Sequence, residues 1–187
     1  MVIFMRKIVF YHEYNDKQFL SLTLKNLSAH YSVTMTGENT VITTGSGADL
    51  FIHESIGLQT VQSPDTILVF SEHCVPSKPL NIDASVICIA NSSNTDLLKM
   101  LADTHARVIT CGMSGKDTVT YSSKSDYAIS ISLQREMLNC TGQIIEPLEL
   151  VFSLEEHYRS YELLTYAAIL ILLGVICECP KLDIPIY

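Results

Sequence analysis

Positive charge is scarce in this sequence. Against 20 Asp+Glu stand 12 Lys+Arg, a formal net charge of −8 at pH 7. No basic run concentrates what there is, so the electrostatic footprint of a nucleic-acid binder is missing. Charged residues of both signs make up 17% of the chain and hydrophobic ones 48%, which excludes general disorder. Bilayer-length apolar runs are missing too. The longest, Ala167 to Cys177, extends back only through Thr165 and Tyr166. It falls short of the roughly 18 residues that a spanning helix needs, and it reads as a buried helix. Met1-Val2-Ile3-Phe4-Met5 is too short for a signal-peptide core and is expected to run into a first strand. Cysteine is present without a disulfide framework. Cys88 and Cys111 lie inside apolar runs as small hydrophobes, Cys74 and Cys140 stand alone, and Cys177-Glu178-Cys179 has no second pair with which to hold zinc. Reduced thiols, a cytoplasmic location and no contact with membrane or nucleic acid are the expectations. With 187 residues the chain can bury a core without staples.

What the sequence does contain is alternation. Lys7 to Tyr11 reads as a strand, followed by helical periodicity from Lys17 to His30 with Phe19, Leu20, Leu24 and Leu27 on one face. Val33 to Thr36 and Val41 to Thr44 are short strands about the turn Gly37-Glu38-Asn39. Leu50 to His53, Thr66 to Phe70 and Val86 to Ala90 are near-continuous apolar runs, as in strands buried on both faces. Asp96 to His105 is a helix capped by Asn94 or Thr95, and Arg107 to Cys111 is the next strand. This order predicts an α/β fold with a mostly parallel, doubly wound sheet over residues 1–115. After Gly115 the pattern changes. Thr118 to Ser122, Tyr127 to Arg135 and Gln143 to Leu154 predict an antiparallel extension over 116–156, and 157–187 supplies a closing helix, Tyr161 to Ile176, and a tail. No repeat or low-complexity linker divides the chain, so one domain is expected.

Parallel sheets present ligands at the carboxyl ends of their strands. His12-Glu13, His53-Glu54-Ser55 and Glu72-His73 each follow a strand, and Asn91 ends a fourth. A rim of histidines beside glutamates suits a divalent metal or acid–base work, although exposed strand ends tolerate polar residues without any function. Gly112-Met113-Ser114-Gly115-Lys116-Asp117-Thr118 imitates a phosphate loop, but its glycines are too close and a strand follows it, so it reads as a turn. His30, His105 and His157 are isolated, Glu155-Glu156 and Glu146/Glu149 suit a solvated face, and Cys74 beside His73 is a weak nucleophile candidate.

Taken in order, these strand ends resemble the central ATP-binding domain of the Mur ligase family, enzymes that join amino acids to a peptidoglycan precursor. Where that family has T-G-T-N-G-K-T, this chain has His12-Glu13-Tyr14-Asn15-Asp16-Lys17-Gln18. Asn15 and Lys17 are kept; both glycines and the last threonine are lost. A family strand ending in glutamate, serines and G-L is matched by Asp49 to Leu58, with Glu54-Ser55 and Gly57-Leu58. The family's Asp-His pair is matched by Glu72-His73, and its N-x-D-D strand, helix and Gly-ended strand by Val86 to Gly112. Its H-N-x-x-N-x-x-A-A helix is mirrored by His157-Tyr158-Arg159-Ser160-Tyr161 with Ala167-Ala168, tyrosines replacing the asparagines near the adenine.

The resemblance implies a P-loop-type α/β fold, with Asn15 and Lys17 at the nucleotide loop and Glu54 and His73 as magnesium-holding residues. His12 and His53 would join that rim and bias it toward a softer metal. The departures imply loss of function. Phosphate cradling needs backbone that approaches the anion without Cβ obstruction, and Glu13, Tyr14 and Asp16 put bulk and negative charge there. No lysine matches the family's modified one, since Lys78 lies between Pro76 and Pro79. The expectation is a degenerate domain without ordinary ligase activity, serving as a binding or interaction module, with ATP disfavoured. The alternatives are a metal-dependent binder or enzyme for a nucleotide or phosphorylated ligand, using His12, Glu54 and His73 with magnesium or another divalent metal, and a subunit that needs a protein partner or a second copy.

Overall fold

The computed structural model describes residues 5–12, 17–125, 128–153 and 159–175. The chain divides into two compact units, Met1–Val108 and Ile109–Tyr187.

The first unit is built on a mostly parallel sheet. Its strands are β1 (Arg6–Tyr11), β2 (Tyr31–Gly37), β3 (Thr40–Thr44), β4 (Ala48–Ser55), β6 (Thr66–Phe70) and β8 (Ile87–Asn91), in the order β8-β6-β1-β4-β2-β3. Every neighbouring pair is parallel except the β2–β3 hairpin. Helix α1 (Lys17–Leu27) makes the crossover from β1 to β2, and α2 (Thr95–Ala102) follows β8. The β-branched runs at 66–70 and 87–91 are buried at every position, as continuous apolar strands should be. β4 differs from its sequence pattern. Leu50 and Ile52 are buried while Phe51 and His53 are half-buried, because one face of this strand is only partly covered.

The doubly wound expectation needs a helix for each crossover. Between β4 and β6, and again between β6 and β8, the described chain has no helix. It runs extended and contributes two short strands, β5 (Thr60–Val61) and β7 (Asn81–Ile82), which pair parallel to each other. This ribbon covers the sheet as a helix would. Val61, Leu80 and Ile82 join Tyr11, Leu68, Phe70, Cys88 and Ala90 from the strands, and Leu97 and Leu101 from α2, in one buried cluster. Each large apolar side chain so buried is worth about 1.5–3 kcal/mol of transfer free energy. Tyr11 and Phe70 meet edge to face within it, ring centroids 5.8 Å apart.

In the second unit the order is β14-β11-β10-β9, where β9 is Arg107–Gly112, β10 Val119–Lys124, β11 Ala128–Leu133 and β14 Leu148–Ser153. β10 runs parallel to β9, so the extension becomes antiparallel one strand later than the sequence suggested, at β10–β11 and β11–β14. The single strand expected over Gln143 to Leu154 is broken. Pro147 has no N–H to give a ladder, and it separates β13 (Ile144–Ile145) from β14. β13 instead pairs with β12 (Met137–Leu138) across a turn closed by Asn139, whose side-chain oxygen accepts from Thr141 N, Thr141 Oγ1 and Gln143 N.

Helix α3 (Ser160–Leu173) is buried on all sides from Tyr161 to Leu173, the placement that an apolar circumference demands. Gly174 ends it at φ 74°, donating to Leu170 and Ile171 carbonyls. No helix among the described residues is long and apolar enough to cross a membrane.

Candidate functional site

The carboxyl ends of β4, β1, β6 and β8 form one edge of the first unit. Backbone bonds tie them together: His12 N donates to Ser55 O at 3.2 Å, and Ser71 N to Tyr11 O at 3.0 Å. Which side chains meet there follows from the two-residue period of a strand. Tyr11 turns into the buried cluster, so Phe10 and His12 take the opposite face, and Glu54, in register with Phe10, takes that face too.

His12 and Glu54 therefore come together, Nε2 to Oε1 at 2.7 Å, with side chains 9% and 23% exposed. The two atoms are close without forming an aligned hydrogen bond, and Nε2 counts among the buried polar atoms that lack one. Nδ1 of His12 is buried with no hydrogen-bond partner among the described residues. Gly37 at the end of β2 leaves room for the carboxylate, since a Cβ there would lie 3.2 Å from Glu54 Oε2.

His53 is one residue from Glu54 and thus on the other face. Its Nδ1 lies 2.9 Å from Thr36 Oγ1, and its ring stacks near-parallel on Phe51 at 6.4 Å. His73 stands on the loop after β6, 87% exposed, with Nε2 3.9 Å from Glu72 Oε2. That loop is held from β8 and α2. Asn91 Nδ2 donates to Glu72 Oε1, and Asn94 Nδ2 donates to the carbonyls of Glu72 and Cys74 while its oxygen caps α2 through Leu97 N. Asn94 was legible as a cap. Its second task was not, because nothing in local sequence links residue 94 to residues 72 and 74.

Of the residues expected at the nucleotide loop, Asn15 lies outside the described residues, and Lys17 opens α1 with its side chain outside them. His157 and Tyr158 lie outside them as well. Among the described residues no group of three or more His, Cys, Asp or Glu is placed to hold a metal ion. The segment Gly112 to Thr118 leads from β9 into β10 and is closed on itself, Asp117 Oδ2 accepting from Ser114 N at 2.9 Å. Cys74 is buried, and so are Cys88 and Cys111. Burial pushes the Cys88 thiol up to about 12, and burial together with the Asp117 charge pushes Cys111 higher still. None of the three is an accessible thiolate nucleophile.

The residues present do not fit a magnesium–triphosphate. A triphosphate needs backbone amides free of Cβ obstruction and hard oxygen donors for its cation. Here residues 12–18 contain no glycine, and among the described residues the carboxylate beside His12 at this edge, Glu54, faces an imidazole.

No family model and no curated protein matches the chain. Solved structures do. A murein peptide ligase from Psychrobacter arcticus aligns with a TM-score of 0.62 at 9% identity, over 91% of this chain and 44% of the ligase. E. coli FolC, in complex with DHPP and ADP, aligns at 0.55 and 13% identity, over 90% of this chain and 53% of FolC. A UDP-N-acetylmuramoyl-L-alanyl-D-glutamate–2,6-diaminopimelate ligase aligns at 0.51 and 8% identity, over 92% and 44%. The chain thus spans about half the length of each of these three structures, and at these identities the likeness is one of fold. With its mostly parallel sheet and antiparallel extension, the chain folds as a Mur-ligase-like α/β domain of the kind found in Mur ligases and FolC.

Proposed function

We propose that this chain is a Mur-ligase-like domain of the central, ATP-binding type that no longer performs ATP-dependent amide ligation and serves as a binding or interaction module. The observation that carries the reading is the His12–Glu54 contact at 2.7 Å. The resemblance assigns Glu54 to magnesium, but here a ring nitrogen of its own chain lies against the carboxylate. The loop that would cradle phosphate has Glu13, Tyr14 and Asp16 where small residues are required. Two carboxylates near a triphosphate oppose its binding unless a cation intervenes.

One observation favours a second reading, a metal-dependent binder of a nucleotide or phosphorylated ligand. Nδ1 of His12 is buried without a partner among the described residues, and a buried polar atom normally has one. A ligand at this rim, held by His12, Glu54 and His73, would supply that partner; the resemblance would add Asn15 and Lys17.

Calorimetric titration separates the two. ATP is added to metal-free protein, then with magnesium or zinc, for the natural chain and for Glu54→Ala/His73→Ala. The first reading expects no ATP heat under any condition. Magnesium-dependent ATP binding that the double variant loses would overturn it. Metal heat without ATP, lost in the same variant, would establish the second.

A further inference from the structure

The outermost strand of the first unit is unprotected. Sheet edges carry a row of unpaired N–H and C=O groups, and folded proteins guard them with charge, proline, bulges or a covering element. Among the described residues β3 has none of these guards. Thr40-Val41-Ile42-Thr43-Thr44 holds no charged residue and no proline, pairs with β2 in unbroken register, and is exposed at all five positions. Val41 is 74% exposed and Ile42 46%. The outermost strand of the second unit, β14, shows the contrast: it carries Glu149, and Leu150 and Phe152 are buried.

We infer that β3 is the contact strand of a homodimer in which two copies of this chain pair edge to edge, antiparallel, about a two-fold axis at Ile42. The strand is complementary to itself in that arrangement. Ile42 falls opposite Ile42, Val41 opposite Thr43 and Thr40 opposite Thr44, so apolar and β-branched side chains meet in every cross-strand pair. Charge selects the direction. Antiparallel pairing sets Glu38, just before the strand, opposite Ser46 of the other copy, whereas parallel pairing would set Glu38 against Glu38. Like charges directly opposite destabilise a pair. The overall charge of −8 repels two copies at a distance, but beyond about 8 Å that repulsion is screened at physiological ionic strength. A two-fold contact uses the same strand on both partners and closes the assembly at two. The inference does not depend on the His12–Glu54 rim, which lies at the strand ends.

Sedimentation equilibrium of the 187-residue chain, without nucleotide or metal, tests it. The expected result is a reversible, concentration-dependent rise from 20.8 kDa toward twice that mass, with amide exchange at 41–43 slowing as concentration increases. Ile42→Lys puts like charges face to face and is expected to raise the dissociation constant by about tenfold or more, and Val41→Lys to move it the same way. Both positions are exposed, so at concentrations low enough for the parent to be monomeric the variants should keep its urea midpoint. A 20.8 kDa species at every concentration would overturn the inference. So would a dimer that neither substitution weakens, or open-ended polymers in place of a dimer.

Discussion

His12 has little solvent to turn to. Its side chain is 9% exposed, and among the described residues Glu54 is the charged group against it. Both ring nitrogens already lack a hydrogen bond among the described residues, so removing Glu54 takes away a close polar contact and its packing, a loss of about 1 kcal/mol. Glu54→Ala should therefore lower the unfolding free energy by about that much, read as a lower urea midpoint at unchanged m. His53→Ala should cost under about 1 kcal/mol, because water can replace its contact with Thr36 on a half-buried face. Thiol chemistry gives a second check at this scale. With the Cys88 thiol pushed up to about 12 by burial, its thiolate fraction at pH 8 is about 10⁻⁴. Iodoacetamide at pH 8 should leave Cys88 and Cys111 unmodified in the native chain and label both in urea, which peptide mass mapping reads directly.

At the scale of elements, Asn94 and Gly45 are where one residue decides the path of the chain. Asn94→Ala removes the cap of α2 and both bonds to the loop after β6, an expected loss of about 2 kcal/mol with faster amide exchange at residues 72–74. Gly45 sits at φ 85°, and a Cβ there would come within 2.2 Å of Tyr31 O and 2.4 Å of Ser28 O. Gly45→Ala cannot be accommodated without moving backbone, and it should destabilise by about 3 kcal/mol or more in a thermal melt. Periodicity announced most of the elements: β6 and β8 from their apolar runs, β2 and β3 from the turn between them, α2 from its cap. It did not announce β5 and β7, because two residues are too few to show a period. Nor could it place the rim. Adjacent residues on a strand point to opposite faces, so the sequence neighbours His53 and Glu54 part company, while His12 and Glu54, forty-two positions apart, meet.

For the molecule as a whole, the buried thiols and Tyr121 set a limit on the alkaline side. Cys88 is held up to about 12 against an ordinary 9.0, and burial raises Tyr121 to about 12 from 10.0. The folded chain keeps these protons at pH values where the unfolded chain has released them. Their contribution to stability is complete below about pH 9 and declines as pH rises toward 12. Urea midpoints measured from pH 8 to 11 should fall above pH 9, and Cys88→Ala should flatten the decline. The ribbon of β5 and β7 bears on a different property, the lifetime of the native state. Its two strands lie on either side of β6 in sequence, so their pairing closes a long loop around a strand that must already be in place. Contacts made after the transition state govern unfolding more than folding. Ile82→Val should accordingly steepen the approach to unfolding, raising the unfolding rate several-fold while the refolding limb of the chevron stays where it was. If that is the outcome, the paired two-residue strands that stand in place of crossover helices act as the latch of this unit, the last part to shut and the first to give way.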